Sequence, residues 1–152
     1  NTKKKHQIII DSSCTNNVGK IIAISCGTAK SLGKKLVEKK KCDVYLGFNS
    51  KIHFDKKNKV PPSRYYDMYL RKLYKEVFEK VLIAAITNEW TFQQLCDVLD
   101  LELRRAAIQK DKIEQQLDIK KYKSRGMKFA LVAVTNVANN LVLHGDGTNN
   151  IS

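Results

Sequence analysis

Residues 20–48 constrain the fold more than any other part of the chain, because the period of their apolar residues changes twice. "KIIAIS" (20–25) is a short, branched, apolar run that suits a buried strand. "TAKSLGKKLVEKKK" (28–41) then takes helical spacing, with Leu32, Leu36 and Val37 on one face, and "CDVYLGF" (42–48) returns to strand character. Strand, helix and strand with short links form a βαβ unit, which predicts parallel pairing and an α/β fold. Ligands in such sheets gather at the carboxyl ends of the strands, so Cys26 and residues 47–50 are expected on one rim.

The remaining elements follow from the same reading. "HQIIID" (6–11) predicts a further strand, joined to the next by the polar "SSCTNNVG". "KIHFDKKNKVPPS" is a polar loop ending at Pro61 and Pro62, with Ser63 as the expected cap of a helix carrying Tyr66, Leu70, Leu73, Val77, Val81 and Ala84 at spacings of three and four. "TFQQ" (91–94) fits a capping box ahead of a second helix with Leu95, Val98, Leu99, Ala106 and Ala107. "MKFALVAVTNVANN" (127–140) predicts a deeply buried helix, and "NLVLHGDG" a closing strand and turn. No repeat or linker divides the chain, so one α/β domain over residues 1–152 is expected, and 43% hydrophobic residues provide for a core.

No apolar run approaches the roughly 20 residues that span a bilayer, and "NTKKKHQIII" lacks the long apolar region of a signal peptide. A soluble cytoplasmic protein with no membrane partner is expected. Cys14, Cys26, Cys42 and Cys96 contain no C-x-x-C pair and no His/Cys grouping, so neither a disulfide framework nor a metal site is indicated. The net charge of +13 is uneven: residues 1–80 hold 19 Lys/Arg against 7 Asp/Glu, and residues 81–152 hold 9 against 8. The excess lies in lysine runs without interleaved aromatics, which reads first as a solvated surface. Nucleic acid is the alternative partner that such a charge raises.

Cys26 sits where the strand turns into the helix. The first N–H groups of a helix have no internal partner and their dipoles favour nearby negative charge. A thiol there is expected to favour the thiolate, the form that attacks carbonyls, and the same N–H groups suit an oxyanion. The competing reading is a buried structural thiol.

The stretch "GKIIAISCGTAKSLGKKLVEKKKCDVYLGFNSKI" (19–52) resembles the strand, cysteine, helix, strand core of caspase-like cysteine peptidases, especially their bacterial CHAT and gingipain-like branches. In that family a short apolar strand ends in the catalytic Cys, followed by small residues, and a helix leads to a strand ending in Gly-aromatic. "LVLHGDGTNNI" (141–151) is similar to the family's closing GDP-T-x-x-I/L stretch, with Gly147 in place of the proline. The resemblance implies a three-layer caspase-like sandwich, a mostly parallel sheet with helices on both faces, of which this chain is the C-terminal half. It implies a cysteine endopeptidase of bacterial regulatory or defence proteolysis, acting on peptide or protein substrates without metal or organic cofactor. Cys26 becomes the nucleophile, N–H groups near Cys26 and Gly27 the oxyanion donors, and Gly47 and Phe48 part of the substrate groove.

These peptidases carry their catalytic histidine in a His-Gly segment before the cysteine strand, and nothing between Asn1 and Ser25 supplies one; His6 opens a strand with no glycine after it. Three readings stay open. The histidine belongs to a complementary chain or upstream half; or the domain is an inactive module that binds a protein partner or, through its basic half, nucleic acid; or His144 in "HGDG" is the base. His53 reads as a solvated loop residue. Asp43 and Asp146 read as turn or cap residues, Tyr65, Tyr66, Tyr69 and Tyr74 as helix packing, Trp90 as an anchor ahead of the second long helix, and Cys14, Cys42 and Cys96 as structural thiols.

Overall fold

The computed structural model describes residues 17–52, 63–117 and 130–152. The strand expected at 6–11, His6, Cys14 and His53 lie outside the described residues. Strand β1 (Lys20–Ile22) pairs in parallel with β2 (Val44–Phe48), Ile21 opposite Tyr45 and Ile22 opposite Leu46. Strand β3 (Leu141–Gly145) flanks β2 on the other side and runs antiparallel, with His144 opposite Tyr45. The described sheet is therefore mixed, in the order β1-β2-β3. β2 is the central one of these three strands, and the sequence reading expected a mostly parallel sheet.

Side chains of β2 alternate between two layers. Val44, Leu46 and Phe48 face the larger core together with Ile22, Leu141 and Leu143, whereas Tyr45 packs with Ile21, Ala23 and Val142 against the crossover helix. That helix, α1, opens as a π-helical stretch Ala29–Gly33 and continues as Lys34–Glu38. Its π turn falls where Gly33 lies against the Tyr45 ring, so closely that a Cβ on Gly33 would stand 2.5 Å from the ring carbon Cδ1. Ala29 and Leu36 are buried against the sheet, and the lysines Lys30, Lys34, Lys35 and Lys40 face outward.

Three helices cover the opposite face: α2 (Ser63–Thr87), α3 (Phe92–Leu117) and α4 (Ala130–Asn139). α2 buries Leu70, Leu73, Tyr74, Val77, Phe78, Val81 and Ala85, with Phe78 stacked on Tyr74 and edge-on to Phe48 at ring-centroid distances of 6.0 and 6.1 Å. α3 buries Phe92, Leu95, Leu99, Leu103 and Ala107, a stripe at spacings of three and four, and α4 adds Ala133, Val134, Val137 and Ala138. Trp90 packs on this core as expected. Lys80 Nζ, 2.8 Å from Glu102 Oε2, ties α2 to α3 on the surface. That bond holds the Glu102 carboxyl below the usual carboxylate range.

The start of α3 accounts for its free amides one by one. Gln94 N–H donates to Thr91 Oγ1 at 3.2 Å while Thr91 N–H donates to Gln94 Oε1 at 3.0 Å, the capping box read in "TFQQ". Phe92 N–H and Gln93 N–H donate to the Asn149 and Gly147 carbonyls, both at 2.9 Å, so the segment after β3 finishes the cap from far along the chain. Asp146 shapes that segment as a turn residue, its Oδ1 accepting from Thr148 N–H at 2.9 Å and from Thr148 Oγ1 at 2.6 Å.

α1 and α2 both end in a left-handed residue that is not glycine, Lys40 (φ 53°) and Glu89 (φ 51°). After α2 the Trp90 N–H reaches back to the Ala85 carbonyl at 3.0 Å, which closes a Schellman turn with Glu89 at the left-handed position. Left-handed backbone costs an L-residue about 1–2 kcal/mol, and glycine gives back about 0.5–1 in chain entropy. Glu89→Gly is therefore expected to stabilise the protein by about 0.5–1 kcal/mol in chemical denaturation. A loss of stability would show that the Glu89 side chain makes a compensating contribution.

Among the described residues no helix is long and apolar enough to cross a membrane, and no group of three or more His, Cys, Asp or Glu is placed to hold a metal ion.

Candidate active site

Cys26 lies in the turn between the carboxyl end of β1 and the start of α1, with its side chain exposed. The geometry of the turn comes from its neighbours. β1 continues past Ile22 with Ala23 N–H on the Leu46 carbonyl at 2.8 Å, and the chain then reverses through Gly27, whose φ of +68° is open to glycine without strain. Gly27 N–H donates to the Ser50 carbonyl at 2.9 Å. Ile52 N–H donates to Cys26 Sγ at 3.2 Å, and the Ile52 carbonyl lies 3.9 Å from the same sulfur. Cys26 and the segment after β2 thus share one rim of the sheet, as the βαβ reading expects.

Two other expectations for this rim are corrected. Phe48 does not line a groove: it is 1% exposed, because the strand alternation turns it into the large core against Phe78. Gly47 is buried on the opposite face, between Tyr45 and Ala29. The Gly27 N–H is committed to Ser50, so it is not free for an oxyanion while that bond is made. The exposed residues flanking Cys26 in the chain and preceding Ile52 are instead Ile24, Ser25, Ser50 and Lys51.

His144 stands on β3 with its ring on the α1 side of the sheet. Its Nε2 lies 2.9 Å from the Ala29 carbonyl. The register sets it level with Tyr45, near the amino end of β2, whereas Cys26 meets the chain beyond the carboxyl end of β2 at Ile52. No hydrogen bond joins Cys26 and His144 among the described residues. The Tyr45 phenol is buried, which raises its pKa and keeps it protonated.

The other described thiols have structural settings. Cys42 is buried, its sulfur within 3.0 and 2.9 Å of the Gly19 and Val44 carbonyls, and burial raises its pKa. Burial, helped by Asp97 and Asp100, pushes the Cys96 thiol up to about 11. Asp43 sits at the foot of β2, accepting from Asn17 Nδ2 at 3.1 Å.

Sequence reasoning missed two contacts here, Ile52 N–H on Cys26 Sγ and His144 Nε2 on the Ala29 carbonyl. For the first, the only signal is the apolar residue closing "GFNSKI", set where the chain must fold back to bury it.

No protein family, no curated protein and no solved structure matches this chain.

Proposed function

We propose that this chain is the nucleophile-bearing half of a caspase-like cysteine endopeptidase, with Cys26 attacking the substrate carbonyl. The observation that carries the reading is the position of Cys26: exposed at the carboxyl end of a parallel strand, in the turn that opens a helix, with a backbone N–H on its sulfur. Helices on both faces of the sheet are compatible with the three-layer sandwich of that family. In the proposed reaction the Cys26 thiolate forms a C–S bond with the peptide carbonyl carbon. The tetrahedral intermediate then expels the amine, which takes up a proton from a general acid, and water hydrolyses the thioester to free the thiol and a carboxylic acid.

The general acid belongs, in this reading, to a complementary chain or upstream half with a strand ending in His-Gly. The engagement of His144 by Ala29, at the other level of the sheet, favours that source over His144 itself. The same observation favours the second reading, an inactive module that binds a protein partner or nucleic acid.

A peptidyl acyloxymethyl ketone at pH 7, followed by peptide mapping of a Cys14→Ser background, is expected to modify Cys26 ahead of Cys42 and Cys96. Co-expression with the His-Gly half is expected to raise peptide cleavage by about 10²- to 10⁴-fold, the usual contribution of general acid–base catalysis, and Cys26→Ala is expected to abolish it. If Cys26 reacts no faster than a free thiol and no added half yields cleavage, the peptidase reading fails and the inactive module stands.

A further inference from the structure

Three tethers hold the turn that carries Cys26, two from the segment after β2 and one from β3. Gly27 N–H is bonded to Ser50 and Cys26 Sγ to Ile52 N–H, both in the segment after β2. The third is His144, which reaches from β3 to the first residue of α1. A carbonyl oxygen can only accept, so this contact requires the proton on Nε2. The Ala29 carbonyl has two lone pairs, and its other partner is the Lys34 N–H, the bond that defines the π opening of the helix. The opening of α1 is therefore gripped at one oxygen, from within the helix and from the neighbouring strand.

That grip bears on Cys26 because only Gly27 and Thr28 separate the cysteine from Ala29. Gly27 is the flexible member, at positive φ, with nothing nearer than the Asn49 carbonyl at 3.8 Å to a Cβ placed on it. A pivot at Gly27 leaves the direction of the Cys26 side chain dependent on what fixes the two sides of the turn. Ser50 and Ile52 fix one side, and His144 fixes the other.

We propose that His144 is a positioning residue for the Cys26 turn, its Nε2–H holding the Ala29 carbonyl and with it the first turn of α1. The assignment rests on the reading of Cys26 as nucleophile. It gives His144 a role in which Nε2 is committed to Ala29, so that Nδ1 is the one ring nitrogen left to take up a proton.

The test uses side chains that copy one ring nitrogen at a time. Glutamine places an amide N–H where Nε2–H stands, asparagine where Nδ1 stands, and alanine removes both. Amide hydrogen exchange is followed at Gly27 and Lys34 in His144→Gln, His144→Asn and His144→Ala, beside the pH dependence of Cys26 alkylation by iodoacetamide. Exchange at these two amides is expected to rise roughly tenfold in the Ala and Asn variants relative to β2 amides, and to return to within about twofold of the parent in the Gln variant. The alkylation profile is expected to keep its shape in all three.

Unchanged exchange in every variant, or a Gln variant that exchanges like the Ala variant, overturns the proposal. So does an inflection in the alkylation profile that disappears in the Gln and Ala variants alike, which would make His144 the ionising partner of Cys26. Failure of the peptidase reading shows separately: exchange follows the expected pattern while the peptidyl ketone leaves Cys26 unmodified.

Discussion

Gly145→Ala is expected to lower the stability of the protein by about 3–5 kcal/mol, one of the largest effects available from a single methyl group. Two costs combine at this position. The residue has φ +87°, where a side chain is strained by about 1–3 kcal/mol. The added Cβ would also collide with the Asp43 carbonyl oxygen. That oxygen has little room to withdraw, since Asp146 N–H donates to it at 3.2 Å and Asp43 N–H is itself bonded to Gly19 at 2.8 Å. Overpacking against fixed backbone adds about 1–3 kcal/mol. Gly19→Ala is the matched control: φ is +70° but nothing lies within 4 Å of the added atom, so only the strain remains. Urea denaturation of the two variants checks this. Equal losses would show that the contact at Asp43 is relieved by a backbone shift.

Phe92→Ala is expected to cost a similar amount, about 3–5 kcal/mol, for a different reason. Phe92 is 1% exposed at the first position of α3, where it plugs the large core beside Leu95. Its own N–H is bonded to Asn149, so the backbone cannot follow the truncated side chain inward to close the cavity. Phe92→Leu keeps most of the volume and is expected to lose less than half as much. A melting-temperature series over the two variants reads the difference, and a Leu variant as damaged as the Ala variant would point to a specific need for the ring.

Features fixed by neighbours in sequence were legible before the structure. The βαβ unit declared itself because the apolar period changes at Cys26 and again at Cys42, and the capping box because Thr91 and Gln94 satisfy each other across three residues. What was hidden depends on partners far along the chain. Phe48 belongs to "CDVYLGF", a strand buried on both faces, and such a run carries no alternation to say which way each side chain points. The π opening of α1 coincides with the Tyr45 ring, and no local pattern at residues 29–33 announces it. At the candidate site, the strand-end position of Cys26 was readable, whereas the Ile52 contact and the hold of His144 on Ala29 join residues 26 and 115 positions apart.

The cap on α3 also sets an order of events during synthesis. Phe92 and Gln93 leave the ribosome more than fifty residues before Asn149 and Gly147, whose carbonyls complete their pairing. At about 5–20 residues per second, the helix spends roughly 3–11 s with two amide protons still hydrated, held at its start by the Thr91–Gln94 box alone. During that interval β2 lacks its antiparallel neighbour as well, because β3 emerges in the same late stretch. The arrival of residues 141–151 thus closes the sheet edge and the helix start in one step, and a ribosome stalled just before them would hold a nascent chain exposing both.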